Sequence, residues 1–270
     1  MIQLAANISL LFKEVPFLER YAHAAEAGFK GVECLFPYDH SPEEIAARLQ
    51  ESGTTQVMFN APPGDFAAGE RGHAAIPGRE AIFRSSIEQV LPYIDATGVR
   101  RIHVMAGIAS AHDPLARSTY VSNLAYAARR FAERNVTLLI EPLNPRDVPG
   151  YFLADFDVAV AVIEELGADN VRLQFDIYHR QILRGDVTTG LRETFPHIGH
   201  IQIASVPTRN EPDQGELSLP HLVHTLQELV YDGWIGCEYQ PRGRTEDGLA
   251  WIHAFRSAEV GRAGSDGHGR

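Results

Sequence analysis

The sequence predicts a single (β/α)8 barrel, and three observations support that fold class. Short apolar runs alternate with longer segments of helical periodicity through almost the whole chain. The 270 residues, 44% of them hydrophobic, suit one barrel domain, which we place at residues 1–262. An open doubly wound sheet would ordinarily carry a glycine-rich phosphate loop after its first strand, and the segment ANISLLFKEVP has none.

The predicted units each consist of a strand followed by a helix. The first is IQLAANIS with PFLERYAHAAEAG, and the second is GVECLF with SPEEIAARLQESG, whose Ser41, Pro42 and Glu44 form a helix-capping signature. The third pairs TQVMFNAP with EAIFRSSIEQVLPYIDATG. The remaining units are RIHVMAG with YVSNLAYAARRFAERN, TLLIEPL with DFDVAVAVIEELG, VRLQFDIYH with ILRGDVTTGLRETF, HIGHIQIA with LPHLVHTLQELVYDG, and WIGCEYQ with TEDGLAWIHAFRSAEV. After the last unit, residues 263–270 are polar and glycine-rich and predict a disordered tail.

A long loop interrupts the third unit. The segment PPGDFAAGERGHAAIPGR lies between the third strand and its helix, and it is rich in glycine and shows no periodicity. Loops of this length inside a compact unit are usually functional lids or disordered segments. We predict that residues 62–78 fold over the barrel mouth as a lid. Within it, Glu70 and His73 are expected to be exposed to solvent, although closure would bring them towards a substrate.

The overall charge argues against nucleic acid and anionic membranes as partners. The chain has 24 basic and 35 acidic residues, a net charge of −11, so no basic excess exists to neutralise phosphates. Its cysteines, Cys34 and Cys237, have no CxxC spacing. We find no signal-peptide pattern and no apolar run near the ~18 residues of a membrane-spanning helix. These features predict a cytoplasmic protein that acts on small molecules, and they are compatible with a homo-oligomer.

Polar side chains end four consecutive predicted strands: Glu141 in LLIEPLN, Asp176 in LQFDIYH, Gln202 in HIQIA and Glu238 in IGCEYQP. Active sites of this fold lie at the C-terminal strand ends, so these oxygens would share one wall of the barrel mouth. Clustered carboxylates repel one another unless a cation joins them, and an all-oxygen set favours a hard ion such as Mg²⁺ or Mn²⁺. Taken singly, each residue is more typical of a helix cap or an ion-pair partner, so the metal prediction depends on the four together.

Several longer motifs resemble one known family. AANISLLF, PPGDFAAGERG, IEPLN, QFDIYH, GHIQIA, RNEPDQGEL and GWIGCEYQPRG are similar to the hydroxypyruvate isomerase family of xylose-isomerase-like TIM barrels, over almost the whole chain before the tail. The resemblance implies one divalent cation held by Glu141, Asp176, Gln202 and Glu238, with the two glutamates as the proton-transferring pair of an aldose–ketose-type isomerase. EPLNPRDVPGYFL resembles the branch acting on four-carbon 2-oxo acids, the 2-oxo-tetronate isomerases, more than enzymes of three-carbon hydroxypyruvate. Lys13 departs from the family pattern, and we interpret it as a solvated loop residue.

Such an isomerase moves a carbonyl group between adjacent carbons through an enediolate, which a divalent cation stabilises and a pair of carboxylates interconverts. His179, just beyond the sixth strand, would donate to a substrate oxygen or orient a carboxylate, a role that the resemblance supports. The carboxylate of a 2-oxo acid calls for a bidentate arginine, and Arg209 in the seventh loop and Arg71 in the lid are the candidates. His200, two residues before the glutamine of the seventh strand, shares its inward face, where a satisfied core histidine is at least as expected as a catalytic one.

Other functions remain open or are disfavoured. A ketose 3-epimerase would use the same metal and glutamate pair but return the proton to the same carbon, and a non-catalytic carbohydrate-binding barrel would not transfer a proton at all. A Schiff-base aldolase needs a lysine at the active face, whereas the lysines are Lys13 and Lys30, and Lys30 precedes the second strand at the opposite face. A metal-dependent nuclease would need several bridging histidines and a basic DNA track, which the predicted ligand set and the net charge do not provide.

Overall fold

The computed structural model describes residues 2–260, and within them parallel strands form one closed barrel. Each strand pairs with the next, and the last pairs with the first through Ala5 and Gly236. The predicted barrel is therefore confirmed, while the predicted tail at 263–270 lies outside the described residues. The strands are β1 (Gln3–Asn7), β2 (Gly31–Cys34), β3 (Thr55–Asn60), β4 (Arg101–His103), β5 (Thr137–Ile140), β6 (Val171–Asp176), β7 (Ile198–Ile203) and β8 (Trp234–Cys237).

Helices connect the strands and cover the outside of the barrel. The capping signature at Ser41 is present: its hydroxyl accepts from the Glu44 backbone N–H, and the Glu44 carboxylate accepts from the Ser41 N–H. No helix of the described residues is long and apolar enough to cross a membrane. The α-helices are α1 (Arg20–Glu26), α2 (Pro42–Ser52), α3 (Glu80–Thr97), α4 (Pro114–Ala132), α5 (Phe156–Leu166), α6 (Ile177–Leu183), α7 (Val187–Thr194), α8 (Leu219–Glu228) and α9 (Trp251–Val260).

The sixth strand ends at Asp176, as the position of this strand-end carboxylate predicts, and does not extend through the whole segment VRLQFDIYH. The helix α6 begins at the next residue. The cause is local: Oδ1 of Asp176 accepts a hydrogen bond of 2.8 Å from the backbone N–H of Tyr178, so the residue that ends the strand also caps the helix. His179 therefore stands in the first turn of α6 and not on a strand.

The N-terminal end of the barrel interior is apolar. Ala5, Val57, Met58 and Leu139 form a small buried cluster, with Trp234 packed against it. A methyl group at Gly31 would collide with the Trp234 ring, so this glycine leaves the space that the indole fills. Asn7 lies two residues after Ala5 on β1, and Glu141 lies two residues after Leu139, directly beyond the end of β5. Both residues therefore share the inward face of that cluster.

A layer of buried polar side chains lies above that cluster. Glu33 of β2 is fully buried, and its carboxylate accepts from the Gln202 amide across 2.8 Å and pairs with the His200 ring nitrogen at 2.7 Å. Since β1 and β8 separate β2 from β7, these contacts cross the barrel interior. His200 is thus a buried core histidine that pairs with Glu33 through Nε2, while its Nδ1 has no hydrogen-bond partner among the described residues.

Candidate active site

The structure brings the four strand-end residues to the same end of the barrel. Glu141 directly follows β5, Asp176 ends β6, Gln202 lies in β7 and Glu238 directly follows β8, and all four are buried. Parallel strands of a barrel present their C-terminal ends at one mouth, which explains the convergence of residues that lie up to 97 positions apart in the sequence.

Two glutamine amides join the two glutamates. Nε2 of Gln202 donates to Oε2 of Glu238 at 2.5 Å, and Nε2 of Gln174 donates both to Oε1 of Gln202 at 2.7 Å and to Oε2 of Glu141 at 2.9 Å. Gln174 lies two residues before Asp176 on β6 and was not among the residues selected from the sequence. The two carboxylates are therefore held in one connected network that links the ends of four consecutive strands, β5 to β8.

Arg209 provides the positive charge of this site. Its guanidinium donates to Oε1 of Glu238 at 2.7 Å, lies 3.6 Å from Oδ2 of Asp176 and packs over the Tyr178 ring. Burial alone would lower the pKa of Arg209, but the surrounding carboxylates, Glu238 first, raise it. Arg209 is therefore a fixed cation at the mouth of the barrel.

Burial raises the pKa of each carboxyl group in the cluster. For Glu141, burial and then the charges of Glu238 and Asp176 raise the pKa well above its usual value. Burial also raises the pKa of Asp176 to about 6 and that of Glu238 to about 8, against the opposing charge of Arg209. Carboxyls with such raised pKa values can hold or release a proton near neutral pH, which is what general acid–base chemistry requires.

Two of the buried carboxylate oxygens have no donor among the described residues: Oε1 of Glu141 and Oδ2 of Asp176. One ligand atom from each of Glu141, Asp176 and His179 lies within 4.8 Å of the others. Such oxygens are costly to bury unless a cation or a donor meets them, so the cluster could bind a metal ion. The oxygens of Gln202 and Glu238 already accept hydrogen bonds within the protein. To bind a metal ion, these oxygens would have to exchange those hydrogen bonds for bonds to the ion.

The surroundings of His179 fix which ring nitrogen carries the proton. The backbone N–H of Asn144 points at Nδ1 across 3.0 Å, so Nδ1 accepts and Nε2 carries the hydrogen. Nε2 lies 3.7 Å from Oδ2 of Asp176. Burial, followed by the charges of Arg209 and His103, lowers the pKa of His179 well below its usual value, so the ring is neutral. In this tautomer His179 is a hydrogen-bond donor and not a metal ligand.

A cavity with about 530 Å³ of empty space, including the part open to solvent, lies directly above these residues. Among its lining residues are Glu141, Glu238, His179 and Arg209. The carboxylates, the imidazole and the guanidinium therefore surround one open space.

The loop at 62–78 contributes one side of this cavity through Phe66 and Arg71. The Arg71 guanidinium stacks 3.7 Å above the Phe66 ring, and its Nη1 donates to the backbone carbonyls of Phe66 and Glu70. The loop therefore covers part of the mouth, while its opening and closing remain a prediction.

The expected exposure of His73 is wrong. Its side chain is only 5% exposed, against 30% for Glu70. The reason is that the second half of the loop is pinned to the barrel: the N–H of Ala75 donates to the carbonyl of Ala106, and Asn123 donates to the carbonyl of Ala74. Lys13 is exposed, in agreement with its interpretation as a solvated residue.

Several buried polar residues of the site were missed from the sequence, among them Glu33, Gln174, His103 and Asn60. Nδ1 of His103 lies 3.2 Å from Oδ1 of Asn60 and 3.6 Å from Oε2 of Glu141. Gln174 precedes Asp176 by two residues and so shares its inward face, just as His200 shares the inward face of Gln202. The spacing in the sequence could therefore have identified Gln174. His103 ends its strand much as the selected residues end theirs, but a lone histidine is a weak signal.

Comparisons with known proteins agree with this geometry. The chain matches the xylose isomerase-like TIM barrel family over residues 21–255. It is 53% identical to a 2-oxo-tetronate isomerase of Cupriavidus necator, over 94% of this chain and 99% of that protein. It is 40% identical to a hydroxypyruvate isomerase of Escherichia coli, over 95% of this chain and 100% of that protein.

Among solved structures, a Brucella melitensis protein described as an AP endonuclease, family 2, is 49% identical and superimposes with a TM-score of 0.92. The comparison covers 94% of this chain and 99% of that one. The prediction of an isomerase is confirmed at the level of enzyme class by the curated relatives. The chain therefore belongs to the xylose isomerase-like TIM barrel family, in the group that includes hydroxypyruvate isomerases and 2-oxo-tetronate isomerases.

Proposed function

We propose that this protein isomerises small hydroxy-2-oxo acids by moving the carbonyl group between adjacent carbons. The observation that carries the proposal is the pair of buried glutamates, Glu141 and Glu238, which have raised pKa values and line one cavity together with the cation Arg209. The substrates are hydroxypyruvate or a 2-oxo-tetronate, the acids named in the relatives. The resemblance of EPLNPRDVPGYFL favours the four-carbon acid.

Glu141, Asp176, Gln202 and Glu238 would hold one divalent cation, Mg²⁺ or Mn²⁺. The free oxygens of Glu141 and Asp176 and the absence of a thiolate from these four residues support a hard ion. When bound, the cation would supply Lewis-acid stabilisation to the negative charge that develops on the substrate. His179 donates its Nε2–H towards the same region and is not counted as a ligand.

The protein's own residues carry the protons. One glutamate of the pair removes the proton from the hydroxyl-bearing carbon, which leaves an enediolate. The other glutamate delivers a proton to the former carbonyl carbon, and the hydroxyl proton passes from one oxygen to the other, so the product is an isomer of the substrate. Burial favours this exchange because it raises the pKa of both carboxyl groups, that of Glu238 to about 8, so that each is a better proton acceptor than a solvated glutamate.

Arg209 binds the carboxylate of the substrate. Its guanidinium lies in the cavity lining, and its fork-shaped donors match a carboxylate. Arg71 also lines the cavity, but its Nη1 already donates to two backbone carbonyls, so it supports the loop first. The lid at 62–78 would exclude water from the bound acid.

The proposed partner is a small molecule in the cytoplasm. The net charge of −11 disfavours DNA, so we do not extend the endonuclease description of the Brucella relative to this chain. A ketose 3-epimerase with the same glutamate pair and a non-catalytic carbohydrate-binding barrel are the alternatives.

A single NMR experiment separates these functions. Hydroxypyruvate, a 2-oxo-tetronate and free ketoses are each incubated with the protein and Mg²⁺ or Mn²⁺ in D₂O. A product with a shifted carbonyl and one deuterium on carbon supports the isomerase. Deuterium at an inverted carbon of a ketose would establish the epimerase, and binding without any exchange would establish the carbohydrate-binding barrel.

A further inference from the structure

Two buried hydrogen-bond acceptors in the cavity have no role in the chemistry above. They are Oε1 of Gln174 and Nε2 of His103, and no group of the described chain donates to either. Both side chains line the cavity above the barrel, and they are only 1% and 2% exposed. Their strands, β6 and β4, lie on either side of β5, whose end carries Glu141.

The orientation of the Gln174 amide is fixed by its neighbours. Its Nε2 donates to Oε2 of Glu141 and to Oε1 of Gln202, and the amide oxygen of Gln202 can only accept. The Gln202 amide is fixed in turn, because its nitrogen lies between the carboxylates of Glu33 and Glu238. Turning Gln174 over would place an oxygen against two oxygens, so its free atom is an acceptor.

The tautomer of His103 is fixed in the same way. Its Nδ1 lies 3.2 Å from Oδ1 of Asn60 and 3.6 Å from Oε2 of Glu141, so Nδ1 carries the hydrogen. Nε2, on the far side of the ring, then has a lone pair and no proton.

The cavity is therefore chemically asymmetric. Arg209, which contacts Glu238 and Asp176, offers positive charge, while the side near Glu141 offers neutral acceptors from Gln174 and His103. Buried acceptors left without a donor are costly, so a matching ligand brings hydroxyl groups to this side and a carboxylate to the other. Hydroxypyruvate, once its own hydroxyl and carbonyl oxygens are engaged in the reaction, has no further hydroxyl to offer.

We propose that Gln174 and His103 form a hydroxyl subsite that receives the terminal hydroxymethyl group of a four-carbon 2-oxo acid whose carboxylate binds Arg209. The subsite makes the protein prefer 2-oxo-tetronates to hydroxypyruvate. This inference rests on the proposed isomerase function, and it names the substrate feature that the site selects.

The test compares two substrates in the same variants. Gln174→Met and His103→Phe each remove the acceptor, and kcat/KM is measured for a 2-oxo-tetronate and for hydroxypyruvate. Each substitution also removes a contact near Glu141, which lowers turnover of both acids alike, so the ratio of the two kcat/KM values isolates the subsite. We expect the ratio to fall about tenfold per acceptor, mainly through KM of the longer acid. An unchanged ratio in both variants would overturn the subsite.

Gln56→Met is the matched control, because Gln56 is a buried strand glutamine whose amide donates to the Met58 carbonyl and which is not among the residues lining the cavity. The ratio of the two kcat/KM values for this variant should equal that of the wild type.

A binding measurement separates failure of the subsite from failure of the proposed function. Calorimetry with the unreactive acids erythronate and glycerate should show that the variants lose affinity for erythronate only, even if the wild type isomerises neither oxo acid. Equal losses for both acids would refute the subsite.

Discussion

Arg209 and Glu238 form a direct ion pair at the barrel mouth, with Nη2 of the arginine 2.7 Å from Oε1 of the glutamate. The same guanidinium lies 3.4 Å from Asp147. One cation thus lies beside a proposed proton carrier and beside the space for a substrate carboxylate. Binding of an anionic acid would compete with Glu238 for this arginine and leave the glutamate freer to accept a proton.

Arg209→Met should therefore weaken binding of both oxo acids. The lost charge-assisted hydrogen bonds correspond to about 1.5–3 kcal/mol, or roughly 10- to 100-fold in KM, with a smaller change in kcat. Steady-state kinetics measure both constants. Arg242→Met is the control, since Arg242 pairs with Glu211 and Asp213 outside the cavity lining. A KM for Arg209→Met equal to that of the wild type would remove the arginine from substrate binding.

Glu141→Gln and Glu238→Gln should keep the fold and lose most turnover. A positioned general base contributes about 10²–10⁴ in rate, and an amide cannot take the proton at neutral pH. The assays are run at saturating Mn²⁺, because both residues are also proposed ligands. Deuterium incorporation from solvent should slow to the same extent. Wild-type turnover in either variant would exclude that glutamate from proton transfer.

Asp176→Asn should behave differently from the two glutamine variants. The asparagine oxygen can still accept from the Tyr178 N–H and cap α6, so the fold is kept. Only the charge offered to the cation is lost, so excess Mn²⁺ should restore most of the activity. Calorimetric titration of Mn²⁺ should show the weakened affinity directly. Failure of excess metal to restore turnover would mean that Asp176 does more than hold the ion.

Phe66→Ala tests the loop at 62–78 as a lid. Deletion of the whole loop would be uninformative, because His73 and Ala75 are part of the packed interior. Phe66 is 42% exposed, packs on Phe36 and lines the cavity, so its removal should admit water and lower kcat/KM by about tenfold. Val230→Ala is the control, because Val230 is 81% exposed and is not in the cavity lining. Unchanged kinetics for Phe66→Ala would argue against a lid.

Gly236→Ala should destabilise the barrel. A methyl group at this position of β8 would collide with the Glu33 carboxylate, which is held by His200 and Gln202 and cannot move away freely. Overpacking of this kind costs about 1–3 kcal/mol, measurable as a lower urea midpoint. Gly243→Ala should be nearly neutral, since a methyl group there meets nothing within 4 Å. Equal midpoints for the two variants would show that the Glu33 carboxylate can shift.

The fold and the strand-end oxygens could be predicted because their signals are local. Strand-length apolar runs ended by Glu141, Asp176 or Glu238 are visible in a few consecutive residues. The Asp176 junction was predicted less well, because whether an aspartate continues a strand or caps a helix is decided by its own hydrogen bond to Tyr178 N. The amino-acid sequence around Asp176 is compatible with either a longer strand or a helix cap.

The interior layer could not be predicted because its partners are distant in sequence. Glu33 in GVECLF has no local sign of burial, and its donors come from β1 and β7. The burial of His73 depends on the bonds that fix residues 74 and 75 to the barrel. Such contacts exist only once the barrel has closed, so residue type alone suggested a solvated side chain.

The direct junction between β6 and α6 limits how this protein can be engineered. One residue inserted between Asp176 and His179 would rotate the histidine by about 100° around the helix axis and separate the pair. The loops at 61–79 and 204–218 have no such direct strand-to-helix junction, and, apart from the packed residues 73–75, they supply Phe66, Arg71 and Arg209 to the cavity from longer connections. Libraries for new substrates therefore belong in those two loops, whereas residues 176–179 must be copied without a gap into any scaffold that borrows this site.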